Sequence, residues 1–470
     1  MTIEQIIRLI TYIVTGLLSF QILYQIIGFF FKSKKFAPTE KQSNYAIVIC
    51  ARNEEKSIAL CIDSIRKQTY PADKITIFAT IGNSTDRTAE VARELGAIVY
   101  EEPVLPFKKR NKGMGLKHFF ECIARDYADK GGVEAFDGWF SLDSDCVLAA
   151  NYVEEMNKAF QHEEFGYITN YGCSKNFGKS FISSYSGLNP HNKAFACYRP
   201  QSLIGASPVM RGNSHLIRSH LLKDGWKWAY NSEDFGFSFS MIAKGVRATY
   251  VESAKVYEEG PDTFKMLLRQ RIRWFRGIFC VWLRKMGPLF LGIFWNKSRA
   301  REKTFGGRLK SFFVRRWSCY DGLMFLSMLA FVQLFTGFIF PLTIIIYNLA
   351  APAHAYSWWS MLRWLGTFYG MVYAGAFGVN LLTIIREHRN IRCSQKRLWL
   401  SLPFWPFINI FFSYVQLYGI LKPTRWKSIA RTDKRNINEV EHEKTLFASK
   451  PTDLPPTELP APEPTPEVNA

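Results

Sequence analysis

The sequence lacks the cysteine and histidine patterns that build disulfide frameworks or zinc sites. None of its nine cysteines forms a C-x-x-C pair, and its eight histidines form no H-x-x-x-H pair. An odd and scattered set of cysteines, several of them inside apolar runs, is typical of reduced and buried thiols. These absences argue against a disulfide-stabilised scaffold and against a metal site made from cysteine or histidine.

The nucleotide-binding loops that are easiest to read from a sequence are also missing. There is no G-x-G-x-x-G motif and no G-x-x-x-x-G-K-[ST] motif, which disfavours a dinucleotide-binding fold and excludes P-loop chemistry. The formal net charge is +20, but no basic-aromatic module accompanies it, and the basic residues concentrate beside apolar runs. We therefore expect no nucleic-acid partner.

Long apolar runs indicate a membrane protein. Residues 9–31 carry no charge and exceed the about 20 residues that a helix needs to cross a bilayer. Lysines follow this run, so the positive-inside rule predicts that the next segment is cytosolic. Three more runs come late in the chain, at residues 320–349, 364–385 and 398–421. Pro341 can split the first of them, and Pro403 and Pro406 can turn the last into a re-entrant hairpin, so the side of the C-terminus stays open.

These signals divide the chain into five parts. We predict an N-terminal transmembrane anchor over residues 1–35, a cytosolic domain over 43–285, a basic and aromatic membrane-interface segment over 286–316, transmembrane helices over 317–425 and a disordered tail over 436–470. The tail is rich in proline and glutamate and has no apolar periodicity, which is typical of an extended, disordered segment.

Strand and helix patterns alternate through the first part of the cytosolic domain. Strand patterns occur at residues 45–50, 75–81, 97–100 and 139–142, and helical spacing of apolar residues occurs at 58–68, 86–95 and 116–127. This order predicts right-handed crossovers and an open, mostly parallel sheet of the α/β class. In such sheets, ligands bind outside the carboxyl ends of the strands.

Asp143 and Asp145 follow the last of these strands, so we expect them at the ligand-binding edge. A D-x-D pair offers carboxylate oxygens to Mg²⁺ or Mn²⁺, which commonly bind through one or two carboxylates plus substrate phosphates. A cation there would relieve the repulsion between the two acids. Taken alone, the pair is better explained by a solvated turn.

Two later motifs make a ligand site the better interpretation. Glu233 and Asp234 form a second acidic pair after an aromatic stretch, although a helix N-terminus also favours such acids. Gln270, Arg273 and Trp274 share one face of a predicted helix. Arginine binds phosphate through two N–H groups, and tryptophan offers a flat surface to a sugar ring. An amphipathic helix lying on the membrane is a compatible alternative for this segment.

The order of A-R-N-E, D-x-D, E-D and Q-x-x-R-W, between an N-terminal anchor and C-terminal spans, resembles the family 2 membrane-bound glycosyltransferases. That group includes cellulose, hyaluronan, chitin and poly-N-acetylglucosamine synthases. The resemblance extends over residues 9–421, and the ordered set with Q-x-x-R-W is highly specific. It implies a GT-A-type nucleotide-sugar domain over residues 43–285, followed by an α-helical transmembrane bundle.

The resemblance also implies how a nucleotide sugar would be held. Three residues of the first turn would hold its uridine part: Ala51, Asn53 and Glu54. Lys112 would lie beside them. Asp143 would face the nucleotide sugar, and Asp145 would bind the Mg²⁺ or Mn²⁺ ion that bridges the diphosphate.

The remaining matched residues would act on the acceptor and the leaving group. Asp234 would be the general base that removes the proton of the acceptor hydroxyl. Gln270 and Arg273 would steady the leaving diphosphate, with Trp274 under the acceptor. The reaction would invert an α-linked donor to a β-glycoside.

The chain departs from the family pattern at two places. Gly82 stands where relatives usually have an aspartate that contacts uracil, which weakens the preference for uridine, and Asn83 or Asp86 could compensate. The segment 208–215 differs from the expected acceptor motif. We hypothesise that Arg211 and His215 within it favour an unusual or anionic acceptor.

The implied function is synthesis of a β-linked polysaccharide from UDP-glucose, UDP-N-acetylglucosamine or a close relative, at the cell (plasma) membrane by a multi-pass protein with a cytosolic catalytic domain. The implied partners are a nucleotide-sugar donor, a saccharide or lipid-linked acceptor, the lipid bilayer and an export partner. One alternative is a non-processive transferase that acts on a lipid carrier or glycolipid. Another is a catalytically inactive membrane scaffold, which loss of the base or of the metal ligand would signal; both are present.

Overall fold

The computed structural model describes residues 19–103, 111–295, 304–332, 358–393, 395–421 and 435–441, together with residues 5, 12, 16, 341–343, 345–346 and 433. The described part of the predicted N-terminal anchor forms helix α1 (Phe20–Phe30). Most of the predicted anchor before residue 19, most of the run at 320–349 beyond residue 332 and the tail beyond residue 441 lie outside the described residues.

An eight-stranded sheet forms the body of the domain that was predicted to be cytosolic, which we call the sheet domain. Its strands are β1 (Tyr45–Ala51), β2 (Ile75–Ile81), β3 (Ile98–Glu101), β4 (Gly138–Asp143), β5 (Val147–Leu148), β6 (Phe165–Ser174), β7 (Ser214–Arg218) and β8 (Arg247–Glu258). Their spatial order is β3-β2-β1-β4-β7-β6-β8-β5. Strands β1 to β4 pair in parallel, as do β6 and β8, whereas β7 runs antiparallel to both of its neighbours.

Helices cover both faces of this sheet. They are α2 (Glu55–Arg66), α3 (Thr88–Glu94), α4 (Lys112–Asp126), α5 (Tyr152–Phe160), α6 (Phe181–Lys193), α7 (Arg199–Ile204) and α8 (Glu233–Ala243). Alternate side chains of β1 enter two separate cores, because successive residues of a strand point to opposite faces. Ile47 packs in the core that contains α2 and α5, and Val48 packs in the core that contains α4 and α8.

The parallel half of the sheet confirms the predicted fold class. All four predicted strands form, and each lies within one residue of its predicted bounds. The antiparallel strand β7 was not predicted. Its insertion between β4 and β6 brings the turn before Ser214 to the carboxyl end of β4, since Ser214 pairs with Leu142.

The helix that carries the Q-x-x-R-W motif is longer than the sequence predicted. Helix α9 (Phe264–Phe294) continues through residue 285, which is the predicted boundary between the cytosolic domain and the interface segment. Helix α10 (Phe305–Ser327) begins inside that predicted segment and leads into a π-helical turn (Met328–Val332). The predicted interface segment is therefore shared by the end of α9 and the start of α10 in the described residues.

Three described helices are long and apolar enough to cross a membrane: Phe264–Phe294, Leu365–Glu387 and Lys396–Leu421. The second belongs to α11 (Trp358–Glu387). The third comprises α12 (Gln395–Ser401) and α13 (Trp405–Leu421), which meet at a 3₁₀ turn containing Pro403, as expected of a proline within an apolar run. The first was not predicted as a span, because its apolar part lies between clusters of arginine and lysine.

The apolar helices pack directly on the sheet domain. Phe412 of α13 lies in a buried cluster with Leu267 and Phe275 of α9. At the end of α11, the carboxylate of Glu387 accepts a 2.5 Å hydrogen bond from the buried guanidinium of Arg199, which also binds Glu252 of β8 and a backbone carbonyl of α1. A buried arginine that serves several partners at once fixes their relative positions.

The described C-terminal segment also returns to this domain. Helix α14 (Ile437–Glu441) buries Ile437 and Val440 in a cluster with Val147 of β5 and Tyr257 of β8. The backbone N–H of Asp433 donates to the Glu259 carboxylate at 3.1 Å. Residues 435–441 therefore lie on the same side of any membrane as the sheet domain.

Candidate active site

A cavity of about 420 Å³ lies at the carboxyl ends of β4 and β8. Its lining comes from the sheet edge, from the start of α8, from α6 and α9, and from the apolar helices α11 and α13. Seven of the ten predicted site residues line it: Lys112, Asp143, Asp145, Asp234, Gln270, Arg273 and Trp274. The fold thus gathers three motifs that are far apart in the sequence.

Lys112 and Asp143 form an ion pair on the sheet side of the cavity. Lys112 is the first residue of α4, and its Nζ lies 2.5 Å from Oδ1 of Asp143 and 2.7 Å from the carbonyl oxygen of Gly212. Burial alone would lower the pKa of Lys112, but Asp143 together with other negative groups nearby, including Glu233, outweighs it and the net pKa is raised. The lysine therefore stays charged and neutralises one aspartate of the D-x-D pair.

The turn before β7 contacts two of the acidic residues of the cavity. The backbone N–H of Asp143 donates to the carbonyl oxygen of Asn213 at 3.0 Å. A Cβ atom on Gly212 would stand 2.7 Å from Oδ2 of Asp234, which is closer than such atoms approach. Residue 212 must therefore be glycine for the Asp234 carboxylate to occupy its position.

Arg211 and His215, the two residues hypothesised to favour an anionic acceptor, have other partners. Arg211 lines the cavity, but its guanidinium binds the Glu258 carboxylate at 2.8 Å. His215 is buried within β7, and its Nδ1 lies 2.8 Å from the carbonyl oxygen of Arg211. Burial lowers the pKa of His215 to about 3, so the ring is neutral. Neither residue offers an unused charge to the cavity.

Glu233 and Asp234 open helix α8, so the acidic pair lies both at a helix N-terminus and in the cavity. Ser232 precedes them with a φ of 61°, an uncommon conformation for a residue with a side chain. Burial raises the pKa of both carboxyls, and the neighbouring Asp234 raises that of Glu233 further, to about 8. Near neutral pH this pair holds a proton that exposed carboxyls would have lost.

Helix α9 brings its motif against the turn that carries Asp234. A Cβ atom on Gly277 would stand 2.2 Å from Oγ of Ser232, so the glycine allows the two segments to touch. Gln270, Arg273 and Trp274 all line the cavity, as their common helical face predicted. The motif and the candidate base are therefore held together by direct packing.

The predicted donor turn lies outside the lining of this cavity. Asn53 has a φ of 54°, and its Oδ1 accepts a hydrogen bond from the N–H of Thr85 at 2.8 Å. The N–H of Glu54 donates to the Thr88 hydroxyl at 2.8 Å. Ala51 ends β1, next to the end of β4. The structure thus ties these residues to the second strand-end turn, and their role in holding a donor stays a prediction.

The structure explains why position 82 is a glycine and not an aspartate. A Cβ atom there would stand 3.1 Å from Oε1 of Glu102, and one on Gly115 would stand 2.2 Å from the same atom. An aspartate at position 82 would thus face another carboxylate at short range. Asp86, which was considered as a substitute, accepts hydrogen bonds from the N–H groups of Glu55 and Thr88. Glu102 is therefore the acidic side chain at the place where the sequence led us to look for an aspartate.

Residues 42–277 match the family model described as glycosyltransferase like family 2. The chain belongs to this family.

Curated relatives of this glycosyltransferase share low identity over about half of its length. It is 22% identical over 259 residues to the probable glycosyltransferase YdaM of Bacillus subtilis, a match covering 52% of this chain and 57% of the relative. It is 23% identical to a beta-monoglucosyldiacylglycerol synthase of Synechocystis (51% and 49% covered) and 25% identical to a poly-beta-1,6-N-acetyl-D-glucosamine synthase of Staphylococcus epidermidis (57% and 65% covered). The chain spans about half to two thirds of the length of these relatives.

A solved structure supports the fold assignment. The mannosyltransferase PcManGT from Pyrobaculum calidifontis, determined in complex with GDP-Man and Mn²⁺, aligns with 80% of this chain and 96% of its own length. The TM-score is 0.50 and the sequence identity is 15%. The glycosyltransferase therefore has the predicted GT-A-like sheet, and three helices of this chain are apolar enough to span a membrane.

The carboxylates of this glycosyltransferase could bind a hard divalent cation only together with ligands from substrate phosphate and water. Among the described residues, no group of three histidine, cysteine, aspartate or glutamate side chains is arranged to hold an ion. Asp145 is buried beside Asp143, whose charge Lys112 already balances. This donor set fits an ion that takes one or two carboxylate oxygens and fills its other positions from substrate phosphate and water.

Sequence reasoning missed several cavity residues. Glu233 belonged to the predicted second acidic pair but was given no role of its own, and Lys193, Arg271, Asn380 and Asn409 were not considered. Arg271 lies inside the quoted Q-x-x-R-W motif, so the sequence did contain a signal for it. The two asparagines gave a weaker signal, as isolated amides inside apolar runs, which is where polar side chains tend to be functional.

Proposed function

We propose that this glycosyltransferase transfers a sugar from UDP-glucose or UDP-N-acetylglucosamine to a growing β-linked polysaccharide at the membrane, with inversion at the anomeric carbon. The observation that carries the proposal is the meeting of the D-x-D pair, the Glu233–Asp234 pair and the Q-x-x-R-W motif around one cavity. The poly-N-acetylglucosamine synthase relatives support the polymer as product.

Asp234 is the proposed general base. It accepts the proton of the acceptor hydroxyl while the hydroxyl oxygen attacks the anomeric carbon, and the bond to the donor diphosphate breaks with its electron pair leaving on the diphosphate. Burial raises the pKa of Asp234, which makes its ionised form a stronger base. Its position against Gly212, beside the Lys112–Asp143 pair, supports this role.

The leaving diphosphate is the proposed ligand of Gln270 and Arg273, because an arginine in a partly buried site stabilises developing negative charge strongly. A divalent ion at Asp145, Mg²⁺ or Mn²⁺, would add charge stabilisation to the diphosphate. Trp274 is the proposed platform for the acceptor sugar. Ala51, Asn53 and Glu54 remain the proposed nucleoside-side residues.

Glu102 is the proposed partner of the nucleobase in place of an aspartate at position 82. Its carboxylate lies against Gly82 and Gly115, at the end of the strand next to β2. A carboxylate there can accept the N–H of a uracil or guanine ring. The nucleotide preference is therefore tested by comparing UDP-sugars with GDP-sugars as donors.

We further propose a multi-pass protein of the cell membrane with its catalytic domain in the cytosol. The packing of α14 on the catalytic sheet supports a cytosolic C-terminus and an even number of crossings after α9 begins. An export partner for the polymer fits the small number of spans.

A non-processive transferase acting on a lipid carrier or glycolipid is the second candidate. The cavity wall formed by α11 and α13 favours it, since those apolar helices would give an amphipathic acceptor a route from the bilayer. An inactive scaffold is disfavoured by the presence of both Asp145 and Asp234 in the cavity.

The test is nucleotide release and product analysis on membranes that contain the full chain, given UDP- and GDP-sugars with Mg²⁺ or Mn²⁺. We expect one UDP-sugar to support release, with loss in a chelator, and a product that a β-specific glycosidase degrades. Turnover of no nucleotide sugar would contradict the proposal. A product of single-sugar addition to lipid would favour the second candidate.

A further inference from the structure

One side of the cavity is formed by helices rather than by the sheet edge. Four of its side chains come from α6, α11 and α13, and we call them the helical wall: Tyr185, Asn192, Asn380 and Asn409. The Tyr185 hydroxyl donates to Oδ1 of Asn409 at 2.5 Å, and Nδ2 of Asn192 donates to Oδ1 of Asn380 at 3.2 Å. Oδ1 of Asn192 is buried with no hydrogen-bond partner among the described residues.

Two cations beside this wall lack carboxylate partners. Within the described part of the chain, neither Lys193 nor Arg271 forms an ion pair or a hydrogen bond, and Nε of Arg271 is buried without an acceptor. Other cations that line the cavity differ in this respect, since Lys112 binds Asp143 and Arg211 binds Glu258. Burial, followed by the like charge of Arg211, lowers the pKa of Lys193.

Both cations lie close to the proposed acceptor platform. The guanidinium carbon of Arg271 lies 4.5 Å from the centre of the Trp274 ring, and Nζ of Lys193 lies 5.9 Å from the same point. Lys193 is also 6.0 Å from the ring of Phe235, the residue after the candidate base. The two positive groups therefore lie next to the aromatic surface beside Asp234, rather than next to the Lys112–Asp143 pair.

Lys193 and Arg271 are half-buried. Charges that lose part of their hydration without gaining a partner are destabilising, so proteins normally pair them or use them to bind a ligand. The neighbouring wall offers only neutral amides and a phenol to a ligand. A ligand that forms hydrogen bonds with the amides and ion pairs with the two cations would present sugar hydroxyls to the former and a negative group to the latter. A neutral saccharide would leave both charges unmatched.

We propose that Lys193 and Arg271 form an anion subsite on the acceptor side, and that the acceptor of this glycosyltransferase carries a phosphate or a carboxylate next to its acceptor sugar. The inference rests on the proposed function, and it adds the chemical class of the acceptor. A polyprenyl phosphate-linked sugar and a uronic-acid oligosaccharide share this chemistry.

The test compares three acceptors with the full chain in membranes: a neutral alkyl glycoside, a short polyprenyl diphosphate-linked sugar and a uronic-acid-terminated oligosaccharide. Each is measured with Lys193→Gln and Arg271→Gln, with Arg271→Lys as a charge-preserving variant and the exposed Lys227→Gln as a control. The wild type should favour one of the anionic acceptors over the neutral one, and whichever is used distinguishes the lipid phosphate from the carboxylate.

Each loss of charge should lower kcat/KM for the anionic acceptor about tenfold to a hundredfold relative to the neutral one, as expected for a lost charge-assisted hydrogen bond. Arg271→Lys should recover part of the loss, and Lys227→Gln should match the wild type. Equal losses for charged and neutral acceptors would overturn the proposal. So would a raised KM for the nucleotide sugar alone, because the cations would then serve the donor.

A binding measurement separates this proposal from the proposed function. The purified chain should bind dodecyl phosphate more tightly than dodecyl maltoside, and Lys193→Gln and Arg271→Gln should remove the difference. That result would stand even if no nucleotide sugar were cleaved, in which case the proposed function alone would fail. An equal affinity for the two amphiphiles would overturn the anion subsite.

Discussion

The two sides of the cavity are built on different principles. On the sheet side, Lys112 and Asp143 pair with each other, and burial raises the pKa of both Glu233 and Asp234, so the negative charge is largely balanced or suppressed within the protein. On the helical wall, amides contact one another and the adjacent cations lack acidic partners among the described residues. The sheet side, the α6 part of the helical wall and Arg271 all lie within the family match over residues 42–277, whereas α11 and α13 lie beyond it. Under the proposed function, we infer from the difference in charge pairing that the sheet side performs the donor chemistry and that the helical wall and its adjacent cations select the acceptor.

The largest effect should come from removing the candidate base on the sheet side. Asp234→Asn should lower the rate of sugar transfer about a hundredfold to ten-thousandfold, because a positioned general base contributes that much. The rate is measured with labelled donor on membranes of matched protein content. Asp129→Asn, an exposed aspartate in the same domain, is the control and should keep the wild-type rate. Normal transfer by Asp234→Asn would assign the base elsewhere.

A smaller effect is expected at the candidate metal ligand. Asp145→Asn should raise the Mn²⁺ concentration needed for half-maximal transfer about tenfold or more, because hard cations depend on charged oxygen ligands. Mn²⁺ binding in the presence of UDP, followed by electron paramagnetic resonance, should weaken in parallel. An unchanged Mn²⁺ dependence would show that Asp145 does not hold the ion.

The acidic pair should also make stability depend on pH. The pKa of Glu233 is about 8 in the folded chain, and about 4.3 is usual for a glutamate in an unfolded chain. Between these values only the folded state keeps the proton, so the free energy of unfolding falls as the pH rises. Glu233→Gln should therefore raise the melting temperature by several degrees at pH 9, and by less at pH 6.

The control for this effect is Glu134→Gln, since Glu134 is exposed in the same domain. Its melting temperature should follow the wild type at both pH values. A Glu233→Gln variant whose stabilisation does not grow with pH would contradict the raised pKa of Glu233.

The smallest effect is expected on the helical wall. Asn409→Leu removes the acceptor of the Tyr185 hydroxyl and leaves the nearby ion pairs intact. It should raise KM for the acceptor about twofold to tenfold, in line with the net contribution of one hydrogen bond. Tyr185→Phe should give a similar change, and a raised KM for the donor instead would erase the distinction between the two sides.

The sequence predicted the sheet side far better than the helical wall. Asp143, Asp234 and Arg273 stand in short motifs that follow strands or share a helical face, so local spacing was enough to identify them. Lys193 and Arg271 are candidates for the anion subsite because no carboxylate forms an ion pair with them among the described residues. Asn409 is a candidate acceptor-side residue because its Oδ1 accepts a hydrogen bond from the Tyr185 hydroxyl. Such contacts are decided only when distant segments pack, so the local signals at Arg271 and Asn409 could not assign these residues a role.

The parts of the fold that were predicted are likewise those that local sequence patterns determine. Strands β1 to β4 have buried apolar runs and alternate with helices, and all were predicted within a residue of their bounds. Strand β7 is five residues long, and its antiparallel pairing depends on neighbours that come from both directions in the chain. The length of α9 was missed because arginines and lysines interrupt its apolar surface, although a single continuous helix carries them.

The most direct test of this account measures nucleotide release without acceptor and sugar transfer with acceptor, on the same membranes, for the wild type, Asp145→Asn and Asn409→Leu. The account predicts that Asp145→Asn loses both activities together, because the sheet side acts on the donor. Asn409→Leu should lose transfer more than nucleotide release, because the helical wall acts on the acceptor. Equal losses of both activities in the two variants would contradict the division of the cavity into a donor side and an acceptor side.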